Sequence, residues 1–315
     1  MADLSIYLFW AGLVAAAMAS VAYWASTFAP VAVVRARAAT SAGTMTVTTP
    51  LARSASPGPS LAACMLGWCA AAALAGAVLA RWQAVHHAPY SNLYEFTVAF
   101  AMGIALSYVG FEVITRQRRV GLVAWPIVLG MLLIATQFPS HIVPLVPALQ
   151  NGPLLTIHVA VMMLSYAVLT VAFSCAVIYL VQGGEGKRRF ASLPRATTAG
   201  DLAHKSVMVG FPLLGLGIAL GAWWANSAWG RYWGWDPKET SALVTWLSIA
   251  AYFHARAGTG SVTGASGIRK LVPARVRRGW RPDPMWWLVG MWALVMFTYF
   301  GVNLWISGLH SYAGV

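Results

Sequence analysis

Seven histidines and one stretch of five tryptophans are the residues of this chain with the most obvious chemistry. The stretch 221–240 reads GAWWANSAWGRYWGWDPKET. Indoles spaced by Gly and Ala offer broad, flat apolar area with a little polar selectivity, which suits a large planar ligand. The competing reading is an interfacial belt, in which Trp and Tyr anchor a protein at the membrane surface. A belt accounts for two or three such residues. It does not account for Trp223, Trp224, Trp229, Trp233 and Trp235 with Tyr232 in one loop, nor for Asp236, Lys238 and Glu239 set around Pro237. His158, in PLLTIHVAVMMLSYA, and His310, in GVNLWISGLHSYAGV, are the natural companions of such a platform. A haem iron needs two axial positions filled from opposite faces, and neutral imidazole suits iron. Whether these two histidines can act together depends on the elements that carry them.

Those elements are membrane spans. Of 315 residues, 59% are hydrophobic and only 9% charged, against about 25% charged in soluble domains. A net charge of +13 raises the alternative of a nucleic-acid binder, but the basic residues are sparse and fall between long apolar runs. Nucleic acid is therefore excluded as a partner. A span needs about 20 apolar residues. Eight segments qualify, at 5–29, 61–80, 92–114, 120–138, 154–181, 205–225, 239–257 and 285–306. The expected fold class is an all-α polytopic bundle, a single membrane domain over 1–315. Asp3 precedes the first apolar run without a basic n-region, so the start reads as a span rather than a cleavable signal.

Charge gives the orientation. The odd-numbered loops and their edges hold 18 of the 21 basic residues, with clusters at 116–119, 187–189 and 269–281. The even-numbered loops hold only Arg81, Arg231 and Lys238. The positive-inside rule then places both termini outside. Residues 35–60, rich in Ser, Thr, Ala and Pro, read as a flexible cytoplasmic loop. Cys64, Cys69 and Cys175 sit in apolar segments without a CxxC pair, so no redox dithiol is expected.

With this topology His158 lies at the outer end of span five and His310 just past the outer end of span eight. Both reach the level of the tryptophan loop, 221–241, from distant parts of the chain. His254 is different: it lies about 22 Å into span seven at 1.5 Å per residue, where ionisable residues are functional candidates. The competing reading has it snorkelling to the cytoplasmic interface beside Arg256. His141 reads as loop packing, His204 as a boundary residue and His86 as structural. His87 stands between a structural role and ligation. Ser91 and Asn92 form a turn and N-cap, with Glu95 in the first helical turn.

The stretch WANSAWGRYWGWDPKET resembles the tryptophan-rich WWD signature of haem-handling proteins. Its Trp-Asp-Pro-Lys-Glu form is similar to the CcsA (ResC) membrane component of system II cytochrome c biogenesis. The likeness extends to HHAPYSNLYEF, LVPALQNGPLLTIHVAVMMLSYA, AYFHAR and GLHSYAGV, and so from Arg81 onward; the first 80 residues carry little of it. Ser241 stands where the family often has Trp. The system I relatives CcmC and CcmF match less well in the Lys-Glu portion.

The resemblance implies that the WWD loop (Trp223, Trp224, Trp229, Trp233, Trp235 and Asp236) holds haem b on the outer face, with His158 and His310 as axial ligands. It implies that His254 holds haem on its way through the membrane, with a second ligand from a separate CcsB/ResB-type partner. The expected activity is that of a subunit of a holocytochrome c synthase in the plasma (inner) membrane. Such a subunit presents haem to the CxxCH thiols of apocytochrome c, while a separate thiol-reducing protein keeps those thiols reduced. No residue offers an obvious acid or base for the addition; the expected role of Asp236 is to orient the loop or a haem edge, and that of Lys238 is to meet a propionate. The alternatives are a haem exporter without covalent chemistry and a structural subunit with an aromatic belt.

Overall fold

The computed structural model describes residues 1–28, 36–40, 43–47, 57–142, 145, 147–150, 152–258, 283–306 and 308–310. The chain is a multi-pass helical membrane protein. Its helices are α1 (Ala2–Phe28), α2 (Pro57–Val85), α3 (Leu93–Thr115), α4 (Gly121–Ala135), α5 (Gly152–Val181), α6 (Ala196–Trp229), α7 (Pro237–Gly258) and α8 (Met285–Trp305). All the expected spans are helices. Seven of them, α1 to α6 and α8, are long and apolar enough to cross a membrane. The eighth, α7, spans about 33 Å at 1.5 Å per residue and is more polar, carrying Thr245, Ser248, His254 and Arg256. Within 35–60, two short strands, β1 (Ala36–Thr40) and β2 (Gly43–Val47), pair antiparallel, and α2 begins at Pro57. The basic cluster at 269–281 lies outside the described residues.

The outward face of α1 is apolar, with Tyr7, Trp10, Val14, Met18 and Val21 exposed at helical spacing. That is the surface a bilayer requires, since nothing but lipid solvates it. α1 packs along α2, and α5 packs along α6. The α5–α6 contact is made by a row of glycines. Gly210, Gly217 and Gly221 stand seven and four residues apart, on one face of α6. A Cβ on them would lie 2.7 Å from Leu169, 2.5 Å from Met162 Sδ and 2.5 Å from His158 Cε1 respectively. Small residues let helix backbones approach closely where lipid offers no competing hydrophobic drive. The Ser165 hydroxyl donates to the Gly210 carbonyl across the same seam at 2.9 Å.

α8 closes the other side of α5. Trp292 stacks on Phe173 with ring centroids 4.2 Å apart, and the hydroxyls of Tyr299 and Thr97 lie 3.1 Å apart, joining α8 to α3. α8 opens into a π turn at Phe297–Gly301. Such single turns are frequent at functional sites. The start of α3 forms as its residues predict: Asn92 accepts from the Glu95 N–H, and the Glu95 carboxylate accepts from the Ser91 N–H and hydroxyl. The other oxygen of Glu95 takes a buried ion pair from Arg81 at 2.8 Å. Arg81 also donates to the Ser140 carbonyl at 2.7 Å, joining α2 and the start of α3 to the segment after α4.

Candidate functional site

The N-terminal ends of α5 and α7 meet the C-terminal ends of α6 and α8 at one end of the bundle. The residues 230–236, which join α6 to α7, fold over that junction. Gly230 ends α6 at φ +71°, a conformation glycine adopts without strain. The Asp-Pro-Lys-Glu run is a helix start. Asp236 caps α7 by accepting the Lys238 N–H at 3.0 Å, and Pro237 takes the first helical position. Glu239 reaches back to the N–H groups of Asp236 and Gly234, at 3.1 and 2.8 Å, as in a capping box. Asp236 does more than cap. Its buried carboxylate accepts from His310 Nδ1 at 2.6 Å and from the Leu309 N–H at 2.6 Å. This fastens the segment beyond α8 to the tryptophan loop.

His158 and His310 line one cavity of about 150 Å³. Each ring is held by Nδ1: His158 against the Gly217 carbonyl at 2.9 Å, His310 against Asp236. A carbonyl and a carboxylate can only accept, so both Nδ1 atoms carry a proton, and in the neutral ring Nε2 then carries the lone pair. Metal-binding imidazoles are oriented in this way by their outer partners. Burial holds the pKa of His310 below its ordinary value, although the Asp236 hydrogen bond pulls the other way. Burial alone would raise the Asp236 carboxyl, but the His310 hydrogen bond and the backbone N–H groups outweigh it and hold it lowered. The pair is therefore neutral imidazole on carboxylate, the form that can ligate.

The tryptophans divide into two sets. Trp224 is 1% exposed and lies parallel to His158 with centroids 6.3 Å apart; it also touches His310 at 5.8 Å. Trp229 meets both Trp224 and His310 edge-on at 4.8 Å, and Trp233 lines the cavity. Trp223 and Trp235, by contrast, are 60% and 70% exposed and do not line it. Trp235 holds φ +57°, an uncommon and strained conformation for a bulky residue, and contacts Trp233 edge-on at 5.8 Å. The structure thus brings together His158, His310, Trp224, Trp229, Trp233 and Asp236. It does not bring Trp223, Trp235 or His254 to the cavity. His254 lies about 25 Å down α7 from Pro237, exposed, with Nδ1 on the Ala250 carbonyl of its own helix. His87 sits on the neighbouring Ala88 carbonyl at 2.9 Å.

Several residues with a part in the site escape a reading of motifs. Gly217 and Gly221 back the His158 ring, and Gly221 admits no side chain without displacing it. The buried Tyr166 and the half-buried Asn303 line the cavity, and among the described residues Asn303 Oδ1 has no hydrogen-bond partner. The glycine spacing on α6 was the only signal available for any of these.

The donor set and walls fit a haem: two like-oriented imidazoles, apolar sides such as Leu155, Val159 and Ile218, and aromatic neighbours. Among the described residues no cluster of three or more His, Cys, Asp or Glu could hold a bare metal ion, so two imidazoles suit a metal whose remaining ligands come with it. The volume is below the about 300–1,000 Å³ of ordinary ligand pockets. A macrocycle therefore enters only with movement of lining side chains.

The family described as Cytochrome C assembly protein matches residues 90–310, a stretch that contains both imidazoles and the whole tryptophan loop. Among similar proteins, the cytochrome c biogenesis protein CcsA of Guillardia theta is 35% identical over 257 residues, covering 74% of this chain and 79% of its own. CcsA of Microcystis aeruginosa is 34% identical over 295 residues, covering 76% of this chain and 83% of its own. CcsA of Synechococcus elongatus is 35% identical over 291 residues, with the same two coverages.

Proposed function

Because the chain belongs to the cytochrome c assembly protein family, we propose that its role in cytochrome c biogenesis is to hold haem b between His158 and His310 and present it to apocytochrome c. The observation that carries this reading is the pairing of two imidazoles in one apolar cavity, each fixed through Nδ1 by an acceptor. Asp236 and Gly217 orient the ligands. Trp224, Trp229 and Trp233 form the inner wall of the WWD loop and exclude water. Trp223, Trp235 and Tyr232 make its exposed rim.

The chemistry needed is thioether formation. Each thiol of a Cys-x-x-Cys-His segment adds across one vinyl group; sulfur bonds one carbon, hydrogen goes to the other, and nothing leaves. No oxidant or reductant enters this addition, provided a separate thiol-reducing protein has delivered free thiols. This chain contributes proximity and orientation, with the ligand shell setting the redox state of the iron. The substrate histidine replaces one of the two imidazoles and carries the product away. His254 serves an earlier stage, in which haem crosses the membrane with a second ligand from a CcsB/ResB-type partner. The protein is then a subunit of a system II synthase in the plasma membrane.

The test is co-expression of this chain, its partner and an apocytochrome in cells without their own maturation system. Haem that stays on the apocytochrome under denaturing conditions supports the reading. Haem that accumulates outside without thioether linkage assigns the chain to export, and no haem on either protein overturns the reading.

A further inference from the structure

Three of the four residues in Asp236-Pro237-Lys238-Glu239 have side chains engaged in the fold: the cap, the first helical position and the reach back to Gly234 and Asp236. The fourth does not. The Lys238 side chain lines the same cavity as His158 and His310. Among the described residues its ammonium makes no hydrogen bond or ion pair; its backbone N–H alone enters the cap. The nearest carboxylate, Asp236, is taken up by His310, Leu309 and that N–H. Glu239, the other charged residue of the lining, commits an oxygen to two backbone N–H groups.

The position is also a poor one for a cation. Lys238 sits in the first turn of α7, at the positive end of the helix dipole, where Asp or Glu is favoured. A cation in an apolar cavity costs free energy unless an anion meets it. The one charge attraction on this lysine among the described residues comes from Asp236, which is already shared by three donors, and a glutamate would serve the helix dipole better. What gains from the lysine is a ligand carrying a negative group beside a planar, iron-bearing body.

We propose that the Lys238 ammonium receives a carboxylate of the bound ligand, and that this contact fixes the rotation of the macrocycle about the axis joining His158 and His310. The inference rests on the haem reading and goes beyond it. Two imidazoles hold a ring in a plane but leave it free to turn about the line between them. A single charged contact at the edge removes that freedom. With one propionate on Lys238, the vinyl edges keep one direction relative to the cavity mouth, as addition of two thiols in order requires.

The experiment is an equilibrium titration of the purified, detergent-solubilised protein with haem and with haem dimethyl ester, followed by low-spin absorbance. Wild type, Lys238→Gln and Lys238→Arg are compared. The wild type binds haem about tenfold or more tightly than the ester, the range of a hydrogen bond to a charged group. Lys238→Gln binds the two equally, with the wild-type ester affinity reporting an intact site, and Lys238→Arg keeps most of the preference. A Lys238→Gln protein with the full wild-type preference overturns the proposal. Should Lys238→Gln lose the ester as well, Lys238→Arg decides: retention of the preference supports the proposal, and ester binding without preference overturns it. If wild type gives no low-spin species with either compound, the haem reading itself fails.

Discussion

The two ends of α7 treat an imidazole in opposite ways. At the N-terminal end, His310 is packed against Trp224 and Trp229 and tied to a carboxylate, and His158 is tied to a backbone carbonyl beside it. At the other end, His254 is exposed, and its Nδ1 turns back to its own helix. His204, on α6 at that same end, is 3.3 Å from the Tyr252 hydroxyl. The first arrangement is made wholly by this chain, with both imidazoles oriented before anything binds. The second offers one imidazole on an outward surface. The difference teaches that fixing an imidazole takes acceptors from other elements, and among the described residues His310 and His158 have them whereas His254 bonds only within its own helix.

The sharpest way to break this comparison is to remove a ligand at the built end. His158→Ala and His310→Ala should each take cytochrome c maturation to background, measured by peroxidase staining of a reporter cytochrome. Next comes Gly221→Ala, whose new Cβ would stand 2.5 Å from His158 Cε1 and push the ring off the Gly217 carbonyl. Maturation should fall to near the His158→Ala level, whereas Gly290→Ala, with open space around its Cβ, should leave it unchanged. Asp236→Ala keeps both ligands but frees the His310 ring, and haem affinity should drop about 10–100-fold, the usual effect of losing an outer partner. His254→Ala should lower the haem recovered with the partner complex while leaving the spectrum of what remains unchanged. The smallest effect belongs to Trp235→Ala: with its ring exposed, the low-spin spectrum should stay as in wild type.

Much of this was legible in the residues. Apolar run length gave the spans, and alternation of loop charge brought His158 and His310 to one level. The capping of α3 followed from Ser91, Asn92 and Glu95. The division of the tryptophans was not legible, because five identical side chains carry no mark of which will turn inward. That depends on the φ of Trp235 and on how α6 packs. Nor was the Asp236–His310 contact, which joins residues 74 apart in sequence. The polarity of α7 was visible but subordinate to its length. Asp-Pro-Lys-Glu did carry a signal: an N-cap, a proline at the first position and a glutamate at the third mark a helix start, which leaves the lysine as the residue to explain.

The central claim is that His158 and His310 ligate one haem iron. The most direct measurement is the reduced absorption spectrum of the purified protein, wild type against His158→Gly and His310→Gly, each with and without added imidazole. The account predicts a low-spin bis-imidazole spectrum in wild type, its loss in both variants and its return when imidazole fills the space left. Wild-type spectra in both variants without imidazole, or a colourless wild type that still supports cytochrome c assembly, would contradict it.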